Sequence, residues 1–191
     1  ILFNLPGACY KGLGQLKGSA KMFKMAVNLQ SDYAEAHKNL GLVLKQLGHI
    51  DASIASLQNA INSNKDYIDA HYSLANIYKD NNQLDDAVKS YEKALTIKPK
   101  YIEAHNNRLF TFNYLTNYDS DFNLIEARKF GIMLNEKVTS RFTDFQGSNE
   151  PARLRIGFVS GDLRTHAVGH FLESVCAQLT KSKVELIAYT T

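Results

Sequence analysis

Six histidines occur in this 191-residue chain, and a repeat or a turn accounts for four of them but not for the other two. His37, His71 and His105 recur at intervals of 34, and His49 sits in a turn next to Gly48. His166 and His170 remain, four residues apart in a stretch that follows an apolar run. An imidazole titrates near neutrality, so a histidine in such a place can take a proton from a hydroxyl and give it back. The repeating three suit structure better, because 34-residue steps place them in successive layers, too far apart to share a metal ion. A solvated loop histidine is the plain alternative for His166, and packing or hydrogen bonding at a helix start is the plain role for His170.

The surrounding elements must position that pair. Leu154, Ile156, Phe158 and Val159 form a short strand-type run, and Val184, Leu186, Ile187 and Tyr189 form a second. Between them Phe171, Leu172, Val175, Cys176 and Leu179 recur as one face of a helix. Strand, helix and strand in so short a span make the βαβ unit of a doubly wound sheet. Ligands bind such sheets beyond the carboxyl ends of the strands, where residues 160–170 would lie. Gly157, Gly161 and Gly169 miss the G-x-G-x-x-G spacing, so no dinucleotide fingerprint is present and turn geometry accounts for them.

The first two thirds of the chain are periodic. Tyr33, Tyr67 and Tyr101 lie 34 apart, as do Ala36, Ala70 and Ala104, and Ala26, Ala60 and Ala94. Small and aromatic positions inside each unit fit the helix pair of a tetratricopeptide repeat. The second unit carries Leu40, Gly41, Leu44, Gly48, Ser53, Leu57 and Ala60; the third carries Leu74, Ala75, Tyr78, Asn82, Ala87, Tyr91, Ala94 and Pro99. Gly7, Tyr10, Gly14, Ser19, Phe23 and Ala26 make the first, where Pro6 predicts a short or kinked opening helix. A fourth unit starts at Ile102 and then loses its small residues. The pattern from Asp119 to Leu134, with Phe122, Ile125, Phe130, Met133 and Leu134 roughly on one side, predicts a helix that caps the open end of the solenoid. Gly147, Ser148, Asn149 and Pro151 mark a loop or linker after it.

Composition narrows the function classes. The balance of 22 basic and 19 acidic residues, net +3, is too mild and dispersed to argue for nucleic acid or an anionic membrane. No apolar run approaches the ~20 residues of a membrane span, and the expectation is of repeats without a secretory leader. Cys9 and Cys176 sit at apolar positions in different helices, which predicts buried free thiols and a cytoplasmic chain. The start at Ile1 inside a repeat and the stop at Thr191 after one strand suggest part of a longer protein.

The run LRIGFVSGDLRTHAVGHFLESV, followed by VELIAYT, closely resembles the start of the catalytic region of protein O-GlcNAc transferases, the family 41 glycosyltransferases. In that family tetratricopeptide repeats precede a two-lobed GT-B catalytic region, and the segment from Asn106 to Tyr114 is similar to its bacterial members at this transition. The resemblance implies a sugar transfer from UDP-GlcNAc to serine or threonine of an acceptor protein, with no metal or other cofactor. It gives His166 a catalytic or acceptor-site role close to the transferred sugar, with His170 beside it. Ala167 follows His166 where family members often have proline. Most of the UDP-sugar site would lie in a second lobe beyond Thr191.

The same resemblance bears on the repeats. Asn39, Ser73 and Asn107 occupy equivalent positions on the first helix of successive units, with Asn76 nearby. In the family a ladder of asparagines at this column holds the backbone of an extended acceptor polypeptide, a task suited to a side chain that both donates and accepts. Ser73 interrupts the ladder, and a solvated polar groove would use the same residues.

The expected architecture is therefore mainly α. A tetratricopeptide solenoid of about three and a half repeats spans residues 1–116, a capping helix and linker 117–152, and the start of a Rossmann-like lobe 153–191. The expected function is that of the acceptor side of a protein O-glycosyltransferase, without nucleic-acid or membrane partners. A tetratricopeptide adaptor without catalysis is the alternative.

Overall fold

The structure, a computed structural model, describes residues 2–136, 154–159 and 184–189. It divides into two compact units, Ile1–Thr139 and Ser140–Thr191. The first contains α1 (Asn4–Gly12), α2 (Leu16–Leu29), α3 (Ala34–Gln46), α4 (Ile50–Ser63), α5 (Ile68–Asp80), α6 (Leu84–Ile97), α7 (Ile102–Phe112) and α8 (Ser120–Asn135). Consecutive helices pack as antiparallel pairs, a tetratricopeptide arrangement.

The alanine columns explain why the helices come so close. Ala36, Ala70 and Ala104 are fully buried, as are Ala60 and Ala94. Larger side chains fill the gaps between layers: Phe23 with Leu40, Val43 and Leu44 between α2 and α3, Leu57 with Leu74 and Ile77 between α4 and α5, and Tyr91 with Leu95 beyond them. Each such fully buried side chain contributes about 1.5–3 kcal/mol. The turns inside each helix pair also repeat. Gly14, Gly48 and Asn82, one column of the repeat, take left-handed conformations with φ of 73°, 80° and 58°. The next residue then donates its N–H back into the preceding helix, as His49 does to the Leu44 carbonyl at 2.9 Å.

Pro6 falls in the first turn of α1, where its missing N–H leaves no helical bond unmade, and that helix is indeed short at nine residues. Cys9 on the same helix is exposed, contrary to the expected buried thiol, because it lies off the face that Gly7 presses onto Phe23. Cys176 lies outside the described residues. None of the described helices is long and apolar enough to cross a membrane.

The repeat ends where its turn chemistry ends. Thr116 stands at the column of Gly14, Gly48 and Asn82, and a β-branched residue adopts the left-handed region poorly. Residues 113–119 form a different turn, and α8 starts at Ser120, capped by Asp119, whose carboxylate accepts the Phe122 N–H at 2.7 Å. Phe112, Tyr118 and Phe122 cluster with ring centroids 4.6–5.2 Å apart. The inward side of α8 differs from the expected stripe. Ile125 is half exposed, and Glu126 takes the inner position, where its carboxylate accepts a 2.7 Å bond from Arg108 of α7. A hydrogen bond from Lys129 and the charge of Arg108 hold that carboxyl below its ordinary 4.5, against the opposing effect of burial.

In the second unit, β1 (Leu154–Val159) and β2 (Val184–Tyr189) pair in parallel, with Leu154 opposite Val184 and Val159 opposite Tyr189. The helix expected between these strands falls on residues outside the described set.

Candidate functional site

First helices of successive repeats touch one another, α1 with α3, α3 with α5 and α5 with α7, whereas α2, α4 and α6 do not. The stack therefore curves with the first helices on its inner face. Polar side chains of these helices form two clusters.

At one end Asn4 of α1 is buried between two residues of α3. Its amide donates to Glu35 Oε1 at 3.1 Å, and its carbonyl oxygen accepts from Asn39 Nδ2 at 3.1 Å. At the other end Asn107 of α7 donates to the Tyr72 hydroxyl at 3.1 Å and to Asn76 Oδ1 at 2.9 Å, both on α5. The hydroxyl of Tyr91, from α6 beneath, donates to the same Asn76 oxygen at 2.6 Å. Burial, then the neighbouring Tyr72, raises the Tyr91 phenol far above its ordinary value of 10 and keeps it a donor. Burial and then Tyr72 push Tyr101 up to about 12.

The structure thus brings Asn76 and Asn107 together and ties Asn39 to Asn4. Ser73, between the clusters, makes no side-chain hydrogen bond among the described residues, and no hydrogen bond among them runs from one cluster to the other. Chemically the Asn76 and Asn107 pair is the fuller half. Both N–H groups of Asn107 and the carbonyl oxygen of Asn76 are used within the protein, which leaves the Asn107 carbonyl oxygen and the Asn76 amide nitrogen. One acceptor and one donor match the N–H and C=O of a peptide unit.

Asn4, Glu35, Tyr72 and Tyr91 escaped the reading of the sequence as members of these clusters. A signal for them exists. The bonds between first helices join residues 31 or 35 apart, one period shifted by −3 or +1 and so one helical turn apart. Searching polar pairs at those two offsets rather than at 34 picks out Asn4 with Glu35 and Asn39, and Asn107 with Tyr72 and Asn76.

The recurring histidines have a uniform task. His37, His71 and His105 each place Nε2 2.8–2.9 Å from a carbonyl six residues back, at Ser31, Lys65 and Pro99. A carbonyl only accepts, so Nε2 carries the proton and ties the inter-repeat loop to the following helix. His105 also stacks on Phe130 of α8, with centroids 5.3 Å apart. His166 and His170 lie outside the described residues.

Comparison with known proteins agrees with this geometry. Residues 68–101 match the family described as tetratricopeptide repeat, and residues 43–82 a related one described as TPR repeat. No curated protein matches the chain. Among solved structures, a mutant of the Thermobaculum terrenum O-GlcNAc transferase is 26% identical with a TM-score of 0.70, covering 99% of this chain and 36% of its own. The chain thus spans about a third of that transferase. A crystal structure of MamA is 27% identical with a TM-score of 0.67, covering 72% of this chain and 80% of its own. The first TPR of Spaghetti (RPAP3), bound to an HSP90 peptide, is 17% identical with a TM-score of 0.57, covering 59% of this chain and 90% of its own, a likeness of fold alone. What these matches have in common with α1 to α7 is a tetratricopeptide scaffold, an architecture for protein interaction.

Proposed function

We propose that this chain forms the acceptor-recruiting side of a cytoplasmic protein O-GlcNAc transferase-like enzyme. The inner face of α1, α3, α5 and α7 receives the acceptor polypeptide, and the segment after the repeats belongs to a GT-B catalytic lobe. One observation carries the reading: the likeness to the transferase extends over 99% of the chain, whereas that to MamA covers 72%. The extra reach is about the length of the unit that follows the repeats.

In this reading a serine or threonine hydroxyl attacks the anomeric carbon of UDP-GlcNAc. The new C–O bond forms as the bond to the diphosphate breaks, and the hydroxyl proton must leave. His166 would take it, with His170 beside the acceptor, and residues outside this chain would stabilise the departing UDP. Asn107 and Asn76 would hold one peptide unit of the acceptor, Asn39 would hold a second point, and Ser73 would leave a weaker rung between them.

The test is transfer by the intact protein. UDP-GlcNAc and acceptor protein should give O-linked GlcNAc with release of UDP. His166→Ala should lower turnover by roughly 10²–10⁴ with the fold unchanged. Asn107→Ala should raise KM for a protein acceptor while leaving slow donor hydrolysis untouched. Absence of both transfer and hydrolysis with any UDP-sugar would end the enzymatic reading. A tetratricopeptide adaptor for protein interaction would then stand, which the match of residues 43–101 to the repeat families supports.

A further inference from the structure

The charge of this chain is unevenly placed. Residues 1–31 contain four lysines and no aspartate or glutamate, so the remaining residues carry one more acid than base and the entire net charge of +3 originates in the first repeat. Three of these lysines, Lys17, Lys21 and Lys24, are exposed on α2 at i, i+4 and i+7 and so share one face of the helix. Like charges at that spacing repel. Lys45, Lys79, Lys89, Lys100 and Lys129 each reach a carboxylate, whereas these three, like several other lysines of the repeats, form no ion pair among the described residues.

Their face borders a recess of about 380 Å³ between α2 and the end of α3, floored by Met25, Leu44 and Leu47. That volume suits one or two apolar side chains, and methionine adapts its shape to what it meets. Because α2 is an outer helix, this recess is separate from the asparagine groove on the inner face.

We infer that this outer groove docks an acidic peptide segment carrying an apolar anchor, a partner distinct from the acceptor and independent of the glycosyltransferase reading. Charge complementarity selects the partner: carboxylates offset the three mutually repelling lysines while an apolar side chain enters the recess between them. A bilayer is the weaker candidate, since its flat surface would meet the lysine heads and leave the recessed apolar floor uncovered.

The chain is titrated into a fluorescein-labelled peptide of alternating glutamate and leucine, into the same peptide with serine for leucine, and into phosphatidylserine vesicles. The glutamate–leucine peptide should bind saturably and more weakly as salt rises. Affinity should drop about tenfold or more for Lys21→Glu/Lys24→Glu, and similarly for the serine peptide. Met25→Ser, which alters only the floor, should weaken the leucine peptide and leave the serine peptide unchanged. Both lysines are exposed, so an unchanged circular dichroism melt will separate lost binding from lost fold. The inference is overturned by absence of peptide binding, by undiminished binding to the charge-reversed protein, by indifference to the leucines, or by vesicle binding without peptide binding.

Discussion

The second and third repeats fill the same columns with different chemistry. In the second, Gly41 of α3 faces Ser53 of α4, whose hydroxyl donates to the Gly41 carbonyl at 2.6 Å. The first repeat does the same with Ser19 and Gly7, at 2.7 Å. In the third, Ala75 and Ala87 occupy those columns, both fully buried, and no hydroxyl is there to bond. The next column follows suit: Leu57 in the second repeat, Tyr91 in the third. A methyl group added at Gly41 would stand 2.8 Å from Leu57 Cγ and 3.1 Å from the Ser53 carbonyl oxygen, so this pair of helices has no room for it. The third repeat accommodates two methyls and a phenol whose hydroxyl reaches up to Asn76. Small residues at one column are thus tuned to the large residue at another, and only the third repeat couples its core to the inner groove.

That contrast can be broken or sharpened by substitution. Tyr91→Ala should have the largest effect, a loss of about 3–5 kcal/mol in denaturant unfolding, since the ring is fully buried and its removal leaves a cavity under α5. Gly41→Ala should cost about 1–3 kcal/mol through overpacking, and the opposite change at the same column, Ala75→Gly, about 1 kcal/mol through backbone entropy and lost packing. Equal tolerance at both sites in thermal melts would show the columns to be interchangeable. Ser53→Ala should cost about 1 kcal/mol for the lost bond to Gly41, with no counterpart at Ala87.

The smallest effect concerns the ion pairs that bridge these two repeats. Lys45 of the second reaches Asp80 of the third at 2.6 Å, with Lys79 at 3.3 Å. Burial raises the Asp80 pKa, but the two lysines outweigh it and bring the carboxyl below its ordinary 3.8. A depressed carboxyl stabilises the fold above that ordinary value, and the contribution disappears as pH falls through the folded-state value. Both side chains are a third or more exposed, so Asp80→Asn should cost only about 0.5 kcal/mol at neutral pH. The gap between wild type and variant should close in melts recorded at pH values falling progressively below the carboxyl's ordinary 3.8. A gap that persists in acid would assign the effect to something other than charge.

Much of the scaffold was readable from residue types alone. A 34-residue recurrence of alanine, aromatic and histidine positions implies a helix pair per unit, because only side chains of fixed small size let equivalent helices approach equally in every layer. The loss of small residues after Phe112, where residues 113–119 replace the repeat's turn, is visible in the sequence too. The inward side of α8 is not. Ile125 belongs to the apolar stripe by periodicity, yet Glu126 faces inward because Arg108 offers it a charge partner across the seam. The exposed Cys9 has a similar cause, since an apolar-type residue in a short terminal helix is buried only if the neighbouring layer covers that side.

The asparagine column shows where the line falls. The sequence by itself determined that Asn39, Ser73 and Asn107 are equivalent and lie on first helices, because equivalence is a matter of period. Only the tertiary structure decided what their side chains do. A residue on one first helix sits between two residues a turn apart on the next, an offset that makes hydrogen bonds form at 31 and 35 residues rather than at 34, so that residues from different columns become partners. That offset comes from how the buried side chains of adjacent layers interlock. No single column records it.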